Sequence, residues 1–98
     1  PMTKYKKQVQ EMLEAHKDVF DSFRELHAMY ADDPKTWQAE YNEKGKPVMI
    51  LLQRYVNNLC AKSESTKYGK FSDQLADKFW GEIRIIFPKI DYIGMQTK

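Results

Sequence analysis

A chain of 98 residues with one cysteine, Cys60, excludes a disulfide framework and predicts one helical domain, 1–98, with a single core in a reducing, cytoplasmic setting. Aromatic residues make up 13% of the chain, enough large rings to build that core. A net charge of +2 is weak for a dedicated binder of duplex DNA, whose affinity comes largely from neutralised phosphates.

The first ten residues, PMTKYKKQVQ, hold no apolar run, so no leader peptide is expected, and Pro1 reads as a remnant preceding a native Met2. The longest apolar stretch, Val48–Leu52, is too short to span a bilayer, and no membrane partner is predicted. Charge is unevenly spread. Residues 8–43 carry nine acids and three bases, whereas residues 44–98 carry ten bases and five acids. The expectation is that the two halves pair internally.

The first element runs from about Thr3 to Tyr30. Tyr5, Val9, Met12, His16, Val19, Phe23, Leu26 and Tyr30 alternate in steps of four and three, the seam of a helix that packs lengthwise. Leu13, Phe20 and His27 sit one residue beyond it and widen the seam into a bundle face. His16 is the one polar member of the seam. Its predicted role is structural, with the ring nitrogens satisfied by Tyr55, a carbonyl or water. His27 is read as a half-exposed packing residue.

Asp33 followed by Pro34 predicts an N-cap and first helical residue. The short helix that follows presents Trp37 and Tyr41, and Gly45-Lys46-Pro47 predicts a break or sharp kink after it. A third helix, from about Pro47 to Ala61, is apolar over more than half its circumference and should be the most buried. Residues 62–70, KSESTKYGK, read as a basic loop. Ser72 is expected to cap a last helix carrying Leu75, Phe79, Trp80, Ile83, Ile86 and Phe87, which Pro88 ends. The tail, 89–98, is expected to lie extended across the bundle. The fold class is therefore all-α: a small bundle of three long helices plus one short one.

Several chemistries fail their spacing tests. A phosphate-binding loop requires glycine five residues before Gly69 and Ser or Thr after Lys70; Glu64 and Phe71 stand there. A di-iron bundle requires Glu three residues before an inward His, where Leu13 and Arg24 stand before His16 and His27. No HExxH motif, cysteine pair or Asp-rich calcium loop occurs. Cys60 reads as a core thiol. The sequence thus predicts no enzyme, no metal, no cofactor and no catalytic residue.

What remains is a binding protein, its partner another protein or a second copy of itself. On the last helix, Ile85 lies about 120° from Phe79, away from the other apolar residues. Gly81 sits beside it in a helix interior, where glycine costs about 1 kcal/mol relative to alanine. With Trp80 these residues form the first candidate interface, and Trp37 and Tyr41 the second. The alternative is a single-stranded nucleic acid held by Lys62, Lys67 and Lys70 on phosphates, with Tyr68 stacking on a base.

Overall fold

Four α-helices make up most of the computed structural model, which describes residues 3–64 and 72–96, the backbone alone at 62–64, 72 and 73. They are α1 (Lys4–Ala15), α2 (Lys17–Asp32), α3 (Pro34–Glu64) and α4 (Ser72–Ile86), followed by a 3-10 turn at Ile90–Tyr92. Three are long, α1 is shorter, and no strand occurs among the described residues. The all-α bundle expected from the periodicity is the fold observed.

Asp33 alone connects α2 to α3, so the two lie antiparallel. The predicted cap is present: Asp33 Oδ1 accepts from the Thr36 backbone N–H at 3.3 Å and Oδ2 from the Thr36 hydroxyl at 2.6 Å. Pro34 loses nothing at the first helical position, where its missing N–H has no intrahelical partner. Then α4 runs back beside the first arm. Lys78 Nζ, midway along α4, lies 6.0 Å from the Tyr5 ring at the start of α1, and Phe87, just past the end of α4, stacks on Phe20 of α2 with centroids 6.2 Å apart. The topology is up-down-up, with α3 against each of α1, α2 and α4. A 31-residue helix is about 46 Å long, which accounts for the 48 Å long axis of the molecule.

The core is densest where α2, α3 and the end of α4 meet. Tyr41 is 0% exposed and its ring lies 3.9 Å from that of Tyr30, nearly parallel. Phe23 stacks on Tyr41 at 5.7 Å and meets Phe87 edge-on at 5.0 Å. The Tyr41 hydroxyl donates to the Lys89 carbonyl at 2.7 Å. Among the described residues every buried side-chain nitrogen and oxygen has a hydrogen-bond partner, as stable interiors require.

Two element boundaries depart from the sequence expectation. The long first helix is interrupted at His16, whose backbone (φ −123°, ψ 42°) closes α1 and opens α2. No glycine or proline stands nearby; at the interruption the Tyr55 hydroxyl, 39 residues further along the chain, shares a 3.2 Å hydrogen bond with His16 Nε2. The predicted partner of His16 is thus the one found. Beyond the interruption the seam keeps its register at Phe23, Leu26 and Tyr30, which are buried, and departs from it at Val19. Phe20 takes the buried position expected of Val19, and Val19 is left 40% exposed.

The predicted break at Gly45-Lys46-Pro47 is absent, and α3 passes through it as one helix. A glycine that ends a helix usually adopts positive φ, and among the described glycines only Gly94 does, at 93°. Gly45 has a different use. A Cβ built on it would lie 2.7 Å from the Ile93 side chain, so the missing side chain is the space the C-terminal segment occupies. Pro47 does forgo its N–H bond to the Glu43 carbonyl, a cost of about 3 kcal/mol in a helix interior, offset by burial of Tyr41, Val48, Leu51 and Leu52 on either side.

The C-terminal segment crosses the bundle as expected, though through a 3-10 turn and not as an extended strand. It is stitched to α3. Gln38 Nε2 donates to the Tyr92 carbonyl at 2.9 Å, Asn42 Nδ2 to the Met95 carbonyl at 2.7 Å, and the Gly94 N–H to Asn42 Oδ1 at 2.6 Å. A bidentate pair between Arg84 and Asp91, at 2.8 and 3.2 Å, ties the turn back to α4.

Candidate protein interface on α4

An α-helix advances about 100° per residue, so the outward ridge of α4 is formed by Gln74, Lys78, Gly81 and Ile85. Core residues Phe79, Ile83 and Phe87 occupy the opposite side and are fully buried. Ile85 is 74% exposed. A Cβ built on Gly81 meets nothing within 4 Å, so no neighbour within the described fold requires glycine there. The tail, the obvious intramolecular cover for this face, lies instead on α3 through Gln38, Asn42 and Gly45.

Two of the charges bordering the ridge are engaged. Glu82 faces Lys6 at 4.0 Å and Arg84 holds Asp91. The Arg84 hydrogen bond keeps the Asp91 carboxyl below its ordinary range and raises the guanidinium above its own. Lys78 on the ridge and Asp77 at its margin are exposed and form no ion pair among the described residues, so the surface around Gly81 and Ile85 mixes apolar and charged groups.

The other residues singled out in the sequence are placed differently. Trp80 lies about 140° around the helix from Ile85, partly buried and edge-on to Phe79 at 5.9 Å. It belongs to the core margin and not to the exposed ridge. Tyr41 offers no accessible surface at all, because its ring is sandwiched in the aromatic core and its hydroxyl is spent on Lys89. Burial pushes that hydroxyl far above the ordinary phenol range, assisted by Tyr30. It is a core residue and no interface anchor. Trp37 packs partly buried against the same core. Lys67, Tyr68 and Lys70 lie outside the described residues, and Lys62 is described only for its backbone in the last turns of α3.

His27 is a packing residue with a second task. Its Nε2 accepts the Lys89 backbone N–H at 3.1 Å, and its ring meets Phe23, Tyr41 and Phe87 at centroid distances of 5.5–6.3 Å. Burial, with a smaller contribution from the Lys89 ammonium, lowers its pKa below the ordinary histidine value. The unfolded chain takes up that proton near pH 6.5 while the fold resists it. Below that pH the unfolded state binds more protons, so this stabilisation is complete above about pH 6.5 and is lost as the pH falls through the folded value. Thermal melts should show a lower Tm at about pH 5.5 than at about pH 7.5, and His27→Gln should flatten that part of the profile. An unchanged slope in the variant would assign the acid sensitivity elsewhere.

Cys60 packs partly buried against the core. Among the described residues no group of three or more His, Cys, Asp or Glu is placed to hold a metal ion, and no helix is long and apolar enough to cross a membrane.

The sequence reading missed one feature, a groove between α2 and α3 lined by Val19, Leu26, Met29 and Pro47 among others. Its signal was present but ambiguous. Met29 is an apolar position outside the seam and Val19 a member of it, and that both stand 40% exposed shows only in the fold.

No protein-family model matches the chain, no curated protein matches it, and no solved structure matches its fold.

Proposed function

We propose that this protein is a small helical binding module that acts without catalysis, through a protein–protein contact centred on Gly81 and Ile85 of α4, including contact between two copies of itself. The observation that carries the reading is a helix-interior glycine with open space where its Cβ would be, one turn before an isoleucine left 74% exposed. Intramolecular packing among the described residues supplies no reason for either, whereas close approach of a second backbone over Gly81, with Ile85 as the flanking anchor, supplies both.

The test combines sedimentation equilibrium with affinity capture from the native host, using nuclease-treated and untreated lysate. Ile85→Asp places a charge where an apolar contact is expected and should weaken self-association or partner capture by about tenfold or more, with the helical circular dichroism unchanged. A partner lost on nuclease treatment but indifferent to Ile85→Asp would instead support nucleic-acid binding by Lys62, Lys67, Tyr68 and Lys70. A strict monomer whose captured partners ignore both treatments would rule out the α4 ridge.

A further inference from the structure

The second surface lies on the far side of the first arm. Val19, Phe23, Leu26 and Met29 of α2 and Pro47 and Val48 of α3 enclose an apolar groove of about 410 Å³. Val19 forms part of its α2 side and the Pro47 ring part of its α3 side. Val19 and Met29 are each 40% exposed, so the groove opens to solvent along its length. The ten residues separating them correspond to about 15 Å of helix, or nearly three turns.

Acids outnumber bases along the border of this groove. Asp18, Glu25 and Asp32 recur every seven residues on the outer ridge of α2, a spacing that keeps them on one line. Glu40 lines the groove from α3, with Glu43 about one turn further along that helix, and Lys44, the one base among the described lining residues, is engaged with Glu40 at 3.5 Å. The expectation that the acidic front half pairs with the basic back half is met here only within α3, by Glu40 and Lys44. Among the described residues no ion pair joins an acid of α1 or α2 to a base of α3 or α4. The acids are left directed at solvent in a protein whose net charge is positive.

We infer that this groove docks a cationic amphipathic helix of a partner protein, about three turns long, with aliphatic side chains at i, i+3 or i+4, and i+7 seated on Val19, Leu26, Met29 and Pro47, and lysines or arginines flanking them against Asp18, Glu25, Asp32 and Glu43. Helix-in-groove recognition supplies affinity through the apolar anchors, and the charged frame supplies orientation and selectivity. This contact is separate from the α4 ridge, and either can fail without the other.

The probe is a fluorescein-labelled 14-residue peptide of leucine and lysine with its leucines in one helical stripe, titrated by anisotropy against the intact protein. Two controls accompany it: the same composition in scrambled order, and the same stripe with glutamate for lysine. The striped cationic peptide should bind about tenfold or more tightly than either control, weaken with added salt, and shift backbone amide resonances of residues 19–29 and 40–48. Met29→Lys should reduce binding about tenfold. Glu25→Lys, a fully solvent-facing change that leaves the fold intact, should narrow the preference for the cationic over the glutamate peptide, whereas Ile85→Asp should leave the titration unchanged. Equal binding of the scrambled peptide, resonance shifts confined to α4, or indifference to both groove variants would overturn the proposal. So would a protein dimer dissociated by Met29→Lys, which would give the groove to a second copy, or saturable binding of laurate with no peptide binding, which would make it a small-molecule cavity.

Discussion

Tyr41→Ala is expected to cost about 3–5 kcal/mol, the loss typical of truncating a large buried aromatic residue. The residue joins three parts of the molecule. Its ring stacks on Tyr30 and Phe23 of α2, its backbone belongs to α3, and its hydroxyl holds the Lys89 carbonyl just beyond α4. Domains of this size have total stabilities of about 5–15 kcal/mol, so the variant should melt far lower or fail to accumulate. Tyr41→Phe separates the two contributions. It keeps the stack and removes the donor, with an expected loss of about 1 kcal/mol. Chemical denaturation of the two variants checks the ratio. If Phe were as damaging as Ala, the hydroxyl and not the ring would be the main stabilising contact.

The second large effect is a pair of opposite signs from one substitution. Gly81→Ala and Gly45→Ala each replace a glycine inside a helix, a change that favours the helix by about 1 kcal/mol where the new methyl has room. At Gly81 it has room, since nothing lies within 4 Å of the added carbon. The isolated fold should gain about 1 kcal/mol, raising Tm by about 4–8 °C. The same methyl should weaken the partner contact, because it fills the place where a second backbone is proposed to approach. Greater stability with poorer association is an outcome that a purely structural role for Gly81 does not produce.

At Gly45 the added carbon falls 2.7–2.8 Å from three atoms of the Ile93 side chain. Relieving that overlap costs about 1–3 kcal/mol in a packed site, which exceeds the helical gain. Net destabilisation should appear together with faster hydrogen exchange at Gly94 and Met95, whose hydrogen bonds to Asn42 and the preceding turn depend on the segment staying seated. A Gly45→Ala variant more stable than the wild type would mean that Ile93 repacks without lifting the segment.

Much of this fold is legible in the chain because local chemistry specifies it. The seam residues Val9, Met12, Phe23, Leu26 and Tyr30 are all buried, since a period near 3.6 presents one face wherever the helix packs. Asp33-Pro34 starts a helix and Pro88 follows the end of one, because caps and ring constraints act within a few residues of themselves. Gly81 and Ile85 stood out on periodicity alone and lie on the open side of α4. Trp80 and Tyr41 did not follow that reading. An aromatic residue in sequence looks the same whether it anchors a partner or fills a core, and only neighbours distant in the chain distinguish the two.

By itself, the sequence determined the helical class, the identity of most core residues and the Asp33 cap, all consequences of interactions among residues within about two turns. Tertiary structure decided where helices are continuous and which way their margins face. The helix is interrupted at His16, which has no local breaker and meets Tyr55 across the bundle. Gly45 and Pro47 sit inside a helix they should locally interrupt, with Ile93 in the space over one and a buried core flanking the other. Burial and contacts distant in the chain can outweigh a backbone preference worth a few kcal/mol. The groove between α2 and α3 belongs to this second class, since the exposure of Val19 and the place of Pro47 in its wall show only in the folded molecule.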